Sequence, residues 1–169
     1  FKALGQLNEA IKAYNKAISN KPDYSQAYNN KGIALQQQGK LNQAIETYAK
    51  AISIKPDYAQ AYSNMGTALK DQGKLDQAIE AYNKAISNKP DYAEAHRNLS
   101  TIKRYTGDDE QFFQVLNFYQ REDLTDYERC NLSFALAKMY EDVGELDQAY
   151  TYLSTGNALR KKLLKYSIE

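Results

Sequence analysis

The sequence predicts an all-α protein, an α-solenoid of about nine to ten helices stacked as antiparallel pairs. Twelve residues, AYNKAISNKPDY, occur twice, at 13–24 and 81–92, with a close variant at 47–58. Prolines, tyrosines and glycines recur 34 residues apart, at Pro22, Pro56 and Pro90, at Tyr24, Tyr58 and Tyr92, and at Gly5, Gly39, Gly73 and Gly107. Within each period the apolar residues are spaced three and four apart, as on one face of a helix. Repeats of this length with helical patterning form solenoids.

Each period contains two predicted helices. Helix A lies between Tyr24 and Gly39, and helix B begins near Leu41 and ends before Pro56. A glycine that adopts positive φ ends helix A, and proline ends helix B because it disfavours helical geometry in the residue before it. We expect Asp57 to cap the first turn of the following helix.

Two glycines and three tyrosines indicate how the helices of a pair pack. Gly32 and Gly66 lie inside predicted A helices, where glycine costs about 1 kcal/mol relative to alanine. We infer that helix B approaches too closely there for a side chain. The aromatic residues at the repeat position of Tyr14, Tyr48 and Tyr82 are expected in the core of helix B.

The motif residues of the second and third periods resemble the tetratricopeptide repeat (TPR) family. They are Tyr28, Gly32, Leu35, Ala44, Tyr48, Ala51 and Pro56, then Tyr62, Met65, Gly66, Leu69, Ala78, Tyr82, Ala85 and Pro90. The resemblance implies a right-handed superhelix that binds other proteins. Two positions depart from the family pattern: Lys31 stands where leucine is usual, and Lys103 stands where an apolar residue is expected.

The repeats divide the chain into two predicted regions. Residues 1–107 hold the regular repeats, the first of them truncated to a helix B at about 7–20, so we expect the chain to be a piece of a longer protein. Residues 108–169 hold a degenerate repeat with an insertion, because the glycine after Gly107 comes 37 residues later, at Gly144. A capping helix completes this region.

The second region predicts three helices. The first covers 108–119 and is followed by a loop at 121–124. Thr125 and Glu128 have the spacing of a capping box and start the second helix, which runs to Val143. The third begins at Leu146, and we expect its polar outer face to close the array.

Residues 96–165 carry a second resemblance, to bacterial proteins that fuse TPR repeats to a sulfotransferase domain. The segments HRNLSTIKRYTG, LTDYERCNLSFALAKMYEDVGELDQAY and GNALRKK carry it. The regular repeats also look like those of O-linked N-acetylglucosamine transferases. Both resemblances imply an alternative function, in which this chain recruits substrates for a transferase whose catalytic domain lies beyond Glu169.

Charge and composition narrow the function classes. The net charge of +1 conceals a split, with fifteen basic and nine acidic residues in 1–105, and three basic and eleven acidic residues in 106–157. We expect no nucleic-acid binding, because many lysines stand near helix ends instead of forming one basic surface. No apolar segment is long enough for a membrane span, and a cytoplasmic location is expected. Cys130 is predicted to be a small buried side chain.

We find no residues arranged for catalysis, so this segment is predicted not to be an enzyme. No glycine-rich phosphate loop is present, and the glycines are single. His96 stands at the aromatic position of its repeat and is expected to pack in the core. Asp108, Asp109 and Glu110 suit a helix N-terminus better than a metal site. No cofactor or metal is expected.

The predicted binding surface is the concave face lined by the A helices, with a protein or peptide as ligand. Asn30, Asn64 and Asn98 recur 34 residues apart, and an amide can both donate to and accept from a peptide backbone. The same asparagines could instead be solvated consensus residues, and the sequence leaves both readings open. Register adds the residues Asn29, Ile33, Gln37, Ser63, Thr67, Lys70, Arg97, Thr101 and Arg104. Glu94 and Asn98 stand where a chaperone-tail clamp would have lysine and arginine, so we expect no such clamp.

A second predicted contact surface lies on the first helix. Leu7, Ile11, Tyr14 and Ile18 form a face that a preceding helix A would cover. Open ends of repeat arrays associate readily, so the sequence predicts self-association through this face.

Overall fold

The computed structural model describes residues 2–166, with side-chain surroundings for 5–164, and this part of the chain is all α-helical. Its nine helices are α1 (Lys2–Asn20), α2 (Ser25–Gln37), α3 (Leu41–Ile54), α4 (Ala59–Asp71), α5 (Leu75–Asn88), α6 (Ala93–Ser100), α7 (Glu110–Tyr119), α8 (Asp126–Asp142) and α9 (Leu146–Tyr166). The predicted fold class is confirmed. None of the described helices has the length and apolar character to cross a membrane.

The helices form two compact units, one ending at Pro90 and the other beginning at Asp91. In the first unit α2 pairs with α3 and α4 with α5, α1 packs on α2, and α4 also contacts α3 and α2. In the second unit α8 pairs with α9, and α6 and α7 pack on α8. These units are defined by contacts and not by repeat regularity, so the division at residue 107 stays a prediction.

Glycines with positive φ form the predicted turns between paired helices. Gly39 and Gly73 both have φ of 74°, and Gly144 has φ of 85°. Two other glycines keep the 34-residue period without forming this turn, since Gly5 lies inside α1 and Gly107 lies in the loop before α7. The helix simply continues through Gly5, because the chain does not reverse direction there.

The predicted cap at Asp57 is wrong. The residue at the N-cap of α4 is Tyr58, and no side chain caps this helix. Asp57 contributes its backbone carbonyl, which accepts from the amide of Ala59 at 2.9 Å. Its carboxylate is one position too early to reach the amides of the first turn.

Close approach of helix B explains Gly32 and Gly66, as predicted. A Cβ on Gly32 would lie 2.5 Å from Cε1 of Tyr48, and one on Gly66 would lie 2.8 Å from Cε1 of Tyr82. Both tyrosine side chains are completely buried. Tyr14, at the same repeat position, is only partly buried.

The helix starts of the second unit follow the sequence closely. Thr125 and Glu128 form the predicted capping box: the Thr125 amide donates to Glu128 Oε2 at 2.9 Å, and the Glu128 amide donates to Thr125 Oγ1 at 3.2 Å. The Asp109 carboxylate accepts from the amide of Gln111 at 3.0 Å and caps α7.

His96 and Cys130 pack in the interior of the second unit, as predicted. His96 is 1% exposed, and its ring centroid lies 6.2 Å from that of Phe118. Cys130 is buried, and desolvation raises the pKa of its thiol despite the opposing effect of Arg97. A raised pKa disfavours the thiolate, which is the reactive form of cysteine.

The fourth A helix is shorter than its register predicts, and Arg104 does not lie on it. Helix α6 ends at Ser100. Lys103 takes the place of an apolar residue and forms an ion pair with Asp109 at 2.7 Å, with its ammonium 4.7 Å from the ring centroid of Tyr105. The chain leaves the helix after Ser100 and reaches α7 through a loop that contains Lys103.

The expected polar outer face of α9 is also wrong. Leu146 is 66% exposed, Tyr150 73% and Leu153 44%. These residues sit three and four apart, so they share one face of the helix. The face is apolar, and within the described residues it is open to solvent.

Candidate peptide-binding groove

Two A helices of the first unit, α2 and α4, bring polar side chains together where they contact each other. Asn30 and Asn64 are partly exposed, whereas Asn29 is fully buried and Ser63 is 2% exposed. The Asn64 amide donates to Asn29 Oδ1 at 2.9 Å. The buried Asn29 therefore orients the partly exposed Asn64. Asn29 and Ser63 are themselves too deeply buried to contact a ligand in this arrangement.

The other predicted groove residues of this unit differ in their surroundings. Ile33 packs against the core cluster that contains Leu35 and Tyr48. Thr67 Oγ1 donates to the Ser63 carbonyl at 3.1 Å and lies 3.1 Å from the Tyr82 hydroxyl. Gln37 is exposed, and Lys70 is partly exposed on α4.

Hydrogen bonds within and between repeats hold further polar side chains of the A helices in place. The Tyr48 hydroxyl donates to Gln36 Oε1 at 3.0 Å, and Gln36 Nε2 donates to Asp71 Oδ2 at 3.1 Å. The Tyr58 hydroxyl donates to Gln26 Oε1 at 2.9 Å. The bonds made by Asp71 and Tyr58 fix polar side chains of one repeat against those of the next.

In the second unit the key side chain is Arg97 on α6. One guanidinium nitrogen donates to Asn131 Oδ1 at 3.1 Å, and the guanidinium carbon lies 5.0 Å from the ring centroid of Phe134. Arg97 is partly exposed and forms no ion pair with any carboxylate among the described residues. The charge is thus held in place by an amide and an aromatic ring, with no anion to neutralise it.

A second contact joins α6 to α8 beside Arg97. The Tyr127 hydroxyl donates to Glu94 Oε2 at 3.3 Å. Desolvation, followed by the charge of Glu94, raises the pKa of Tyr127, so the phenol keeps its proton. The sequence did not identify the α8 residues Tyr127, Asn131 and Phe134 because the 34-residue register slips after Gly107. Counting back from Gly144 would have recovered their positions on a helix A.

The remaining predicted residues lie at or beyond the end of α6. Asn98 is partly exposed on the helix. Thr101 follows the last helical residue, and its hydroxyl donates to the Asn98 carbonyl at 2.7 Å. Arg104 is exposed and lines a separate cavity of about 590 Å³ with Tyr105 and Asp142. The structure therefore places Arg97, but not Arg104, among the side chains shared by α6 and α8.

The predicted self-association face on α1 is half covered. Leu7, Ile11, Tyr14 and Ile18 are all partly buried, and Ile11 packs against the cluster that contains Tyr48. Tyr48, at the repeat position of Tyr14, is 0% exposed. The contrast shows that α1 is covered on fewer sides than α3 within the described residues.

The described residues contain no group of three His, Cys, Asp or Glu side chains placed to hold a metal ion. The first unit has oriented amide side chains, and the second unit has the fixed guanidinium of Arg97. Such groups suit recognition of a ligand by hydrogen bonds and by charge.

Comparison with protein families identifies the repeats. The model "TPR repeat" matches residues 1–39 and 34–73, and the model "Tetratricopeptide repeat" matches residues 59–92. The matches together span more than half of the chain, and the chain belongs to the tetratricopeptide repeat family. A comparison with curated protein sequences found no matching relative.

Solved structures with the same fold include three of interest. MamA is 24% identical with a TM-score of 0.65, over 96% of this chain and 93% of that one. YrrB, a TPR protein with an unusual peptide-binding site, is 20% identical with a TM-score of 0.62, over 88% and 75%. The first TPR of Spaghetti (RPAP3), bound to the HSP90 peptide SRMEEVD, is 28% identical with a TM-score of 0.56, over 58% and 78%. The descriptions of two of these structures mention peptides: a peptide-binding site in YrrB and a bound HSP90 peptide in the RPAP3 domain.

Proposed function

We propose that this chain is a protein-interaction scaffold whose A helices bind an extended segment of a partner protein. The observation that carries the proposal is Arg97, a guanidinium fixed by Asn131 and Phe134 with no carboxylate partner among the described residues. Arginine held in this way recognises a carboxylate with little further loss of side-chain entropy. We expect the bound segment to place an aspartate or glutamate there.

Within the first unit, taken by itself, the exposed amides suit the backbone of a bound peptide. Asn30 and Asn64 occupy the same repeat position, and Asn64 is oriented by Asn29 at 2.9 Å. An amide offers a donor and an acceptor, so it can bond a peptide group without selecting a side chain. Asn98 takes the same position in the second unit, and we propose the same role for it.

The relatives of similar fold support a peptide ligand, since YrrB and the RPAP3 domain are described by their peptide binding. The ligand proposed here differs from a chaperone tail. Glu94 stands where a carboxylate clamp needs a cation, and it already accepts a hydrogen bond from Tyr127. A second acidic group at that point would be repelled.

The test starts from an array of extended synthetic peptides, each with one acidic residue, from which the tightest binder is taken for affinity measurements. Replacing Asn30 or Asn64 by alanine should weaken binding by about 1 kcal/mol, the usual net value of one hydrogen bond. Arg97→Ala should weaken it more, and the loss should shrink as salt is added. Asn83→Ala and Arg160→Ala, which change exposed residues on B helices, should have no effect.

Asn30 is the decisive amide because its side chain forms no hydrogen bond to another described residue, whereas Asn64→Ala also removes the bond to Asn29. Unfolding curves for each variant separate a loss of binding from a loss of structure. Unchanged affinity in all three variants would mean that the A helices are not the site. The outer face and the acidic segment 108–126 would then be examined.

The transferase alternative, with sulfotransferase fusion proteins as the first candidate and O-linked N-acetylglucosamine transferases as the second, stays a prediction. It concerns the sequence that follows Glu169, where a strand, a phosphate loop and a helix would support it. The groove proposal does not depend on the outcome, because a substrate-recruiting region would bind its substrates by the same surface.

A further inference from the structure

Two opposite charges lie one helical turn apart on α6 without pairing with each other. Glu94 and Arg97 are three residues apart and share one face of the helix. Oppositely charged side chains at this spacing often pair on a helix surface. Here Glu94 and Arg97 form no ion pair, either with each other or with another described residue.

Contacts with α8 keep the two charges apart. Tyr127 and Asn131 lie four residues apart on one face of α8. The Tyr127 hydroxyl donates to Glu94 Oε2 at 3.3 Å, and an Arg97 guanidinium nitrogen donates to Asn131 Oδ1 at 3.1 Å. Each charge is thus held by its own uncharged partner on the neighbouring helix.

Both charged groups keep the capacity to bind a ligand. A carboxylate can accept about four hydrogen bonds and a guanidinium can donate about five, and each side chain makes one bond to α8. Glu94 and Arg97 are partly exposed, and Tyr127 beside them is 52% exposed. A ligand on this surface can therefore reach the acid and the base together.

Acidic residues that flank this surface along the chain are already paired. Asp91 lies 3.6 Å from Arg121, and Asp126 forms an ion pair with Lys162 at 2.6 Å. Neither acid adds an unbalanced charge beside the two on α6.

The spacing of Glu94 and Arg97 sets the spacing of their partners in an extended ligand. Residues three apart on a helix have Cβ atoms about 5–6 Å apart. In an extended segment, residues two apart point to the same side at about 6.5–7 Å, whereas adjacent residues point to opposite sides. An acidic and a basic residue two positions apart therefore match the two charges of α6.

We propose that Glu94 is a specificity residue of the groove, which binds a lysine or arginine two positions from the acidic residue that Arg97 binds. This inference rests on the proposed function, because Arg97 is the acid-binding residue there. It adds a second charge to the ligand and a residue, Glu94, that would read it.

Glu94 also has a structural role that the test must separate from ligand binding. It lies in the first turn of α6, where a carboxylate interacts favourably with the helix dipole. That role affects stability but predicts no dependence of affinity on a lysine in the ligand. The experiment therefore compares ligands as well as protein variants.

The parent peptide is the tightest binder from the array of peptides with one acidic residue, with any basic residue replaced by glutamine. Four derivatives carry lysine one or two positions before or after the acid, and four matched controls carry norleucine there. Norleucine keeps the apolar stem of lysine without its charge. Affinities are measured by fluorescence anisotropy at low and high salt.

We expect lysine at one of the two positions two residues from the acid to bind about threefold to fivefold more tightly than norleucine at low salt, as for a partly exposed ion pair. Added salt should reduce this gain. Lysine adjacent to the acid should give no such gain, although the net charge of the peptide is the same.

The protein variant Glu94→Gln should remove the gain from lysine without lowering the affinity for the parent peptide. Glutamine keeps an oxygen that can accept from Tyr127, so this variant should fold, and unfolding curves check that it does. Glu46→Gln, which changes an exposed carboxylate on α3, is the matched control and should keep the gain.

Two results would overturn the inference: equal affinities of the lysine and norleucine peptides at both positions two residues from the acid, or a gain that persists in Glu94→Gln. Arg97→Ala distinguishes these from a failure of the proposed function. If this variant binds the parent peptide as tightly as the wild type, the acid-binding site is wrong and the role of Glu94 falls with it. If it binds more weakly while lysine gives no gain, the groove proposal stands and only the role of Glu94 fails.

Discussion

Replacing the helical glycines by alanine gives the sharpest test of the helix packing. Alanine is better than glycine in a helix by about 1 kcal/mol, so propensity alone predicts stabilisation at Gly32, Gly66 and Gly5. The structure predicts opposite signs. A new Cβ would lie 2.5 Å from Tyr48 at Gly32 and 2.8 Å from Tyr82 at Gly66, while Gly5 has no atom within 4 Å.

The cost at the first two sites is overpacking. Both tyrosines are fully buried and hydrogen-bonded through their hydroxyl groups, so the rings cannot move aside without breaking a contact. Overpacking costs about 1–3 kcal/mol, with values at the upper end when the backbone must move. After the gain in propensity, we expect Gly66→Ala to destabilise by about 1 kcal/mol and Gly32→Ala by about 2 kcal/mol. Gly5→Ala should stabilise by about 0.5–1 kcal/mol.

Thermal and urea unfolding measure these differences. For a chain of this size, 1 kcal/mol moves the melting temperature by about 2–4 °C. A Tyr48→Leu background should reduce the cost of Gly32→Ala, because the ring that causes the clash is gone, and a double-mutant cycle gives the coupling. If Gly32→Ala is as stable as the wild type while its helices remain paired, the explanation of these glycines is wrong.

Three other outcomes are expected. Thr125→Ala should lower stability by about 1 kcal/mol through loss of the capping box, as urea unfolding will show, and Thr151→Ala on α9 is the control. Burial raises the pKa of Tyr48 and of Tyr105 well above 10. Their contribution to the free energy of unfolding is therefore complete below pH 10 and is lost as the pH rises further. Unfolding midpoints measured up to pH 11.5 should fall, and a flat profile would contradict this. The chain should form weak dimers through α1, and Tyr14→Ser should reduce them in sedimentation experiments; dimers that persist in this variant would place the contact elsewhere.

Much of the fold could be predicted from the sequence because residues within the repeats mark where the helices begin and end. Gly39 and Gly73 mark turns that only positive φ allows, and the capping box at Thr125 identifies the start of α8 in spite of the insertion. Asp57 shows the limit of such signals. A capping residue type is present, but the turn after Pro56 places it one residue too early.

The candidate site was predicted less completely, since it depends on which side chains meet. Register correctly placed Arg97 on a helix A, but its partners Asn131 and Phe134 lie beyond the insertion, where the 34-residue count no longer holds. Register also placed Arg104 on the same helix, although α6 ends at Ser100. A charge in the apolar stripe does not predict this end, because α2 continues through Lys31, which stands at a leucine position.

The close packing of paired helices and the polar contacts between repeats depend on the same tyrosines. Gly32 leaves room for the ring of Tyr48, whose hydroxyl then reaches across α2 to Gln36, and Gln36 in turn donates to Asp71 of α4. Gly66 has the same relation to Tyr82, whose hydroxyl meets Thr67 on α4. A larger residue at either glycine would displace the ring and with it the hydroxyl. The absence of a side chain at these positions therefore orients polar groups on the A helices, and the core of each repeat helps to set the geometry of its proposed binding surface.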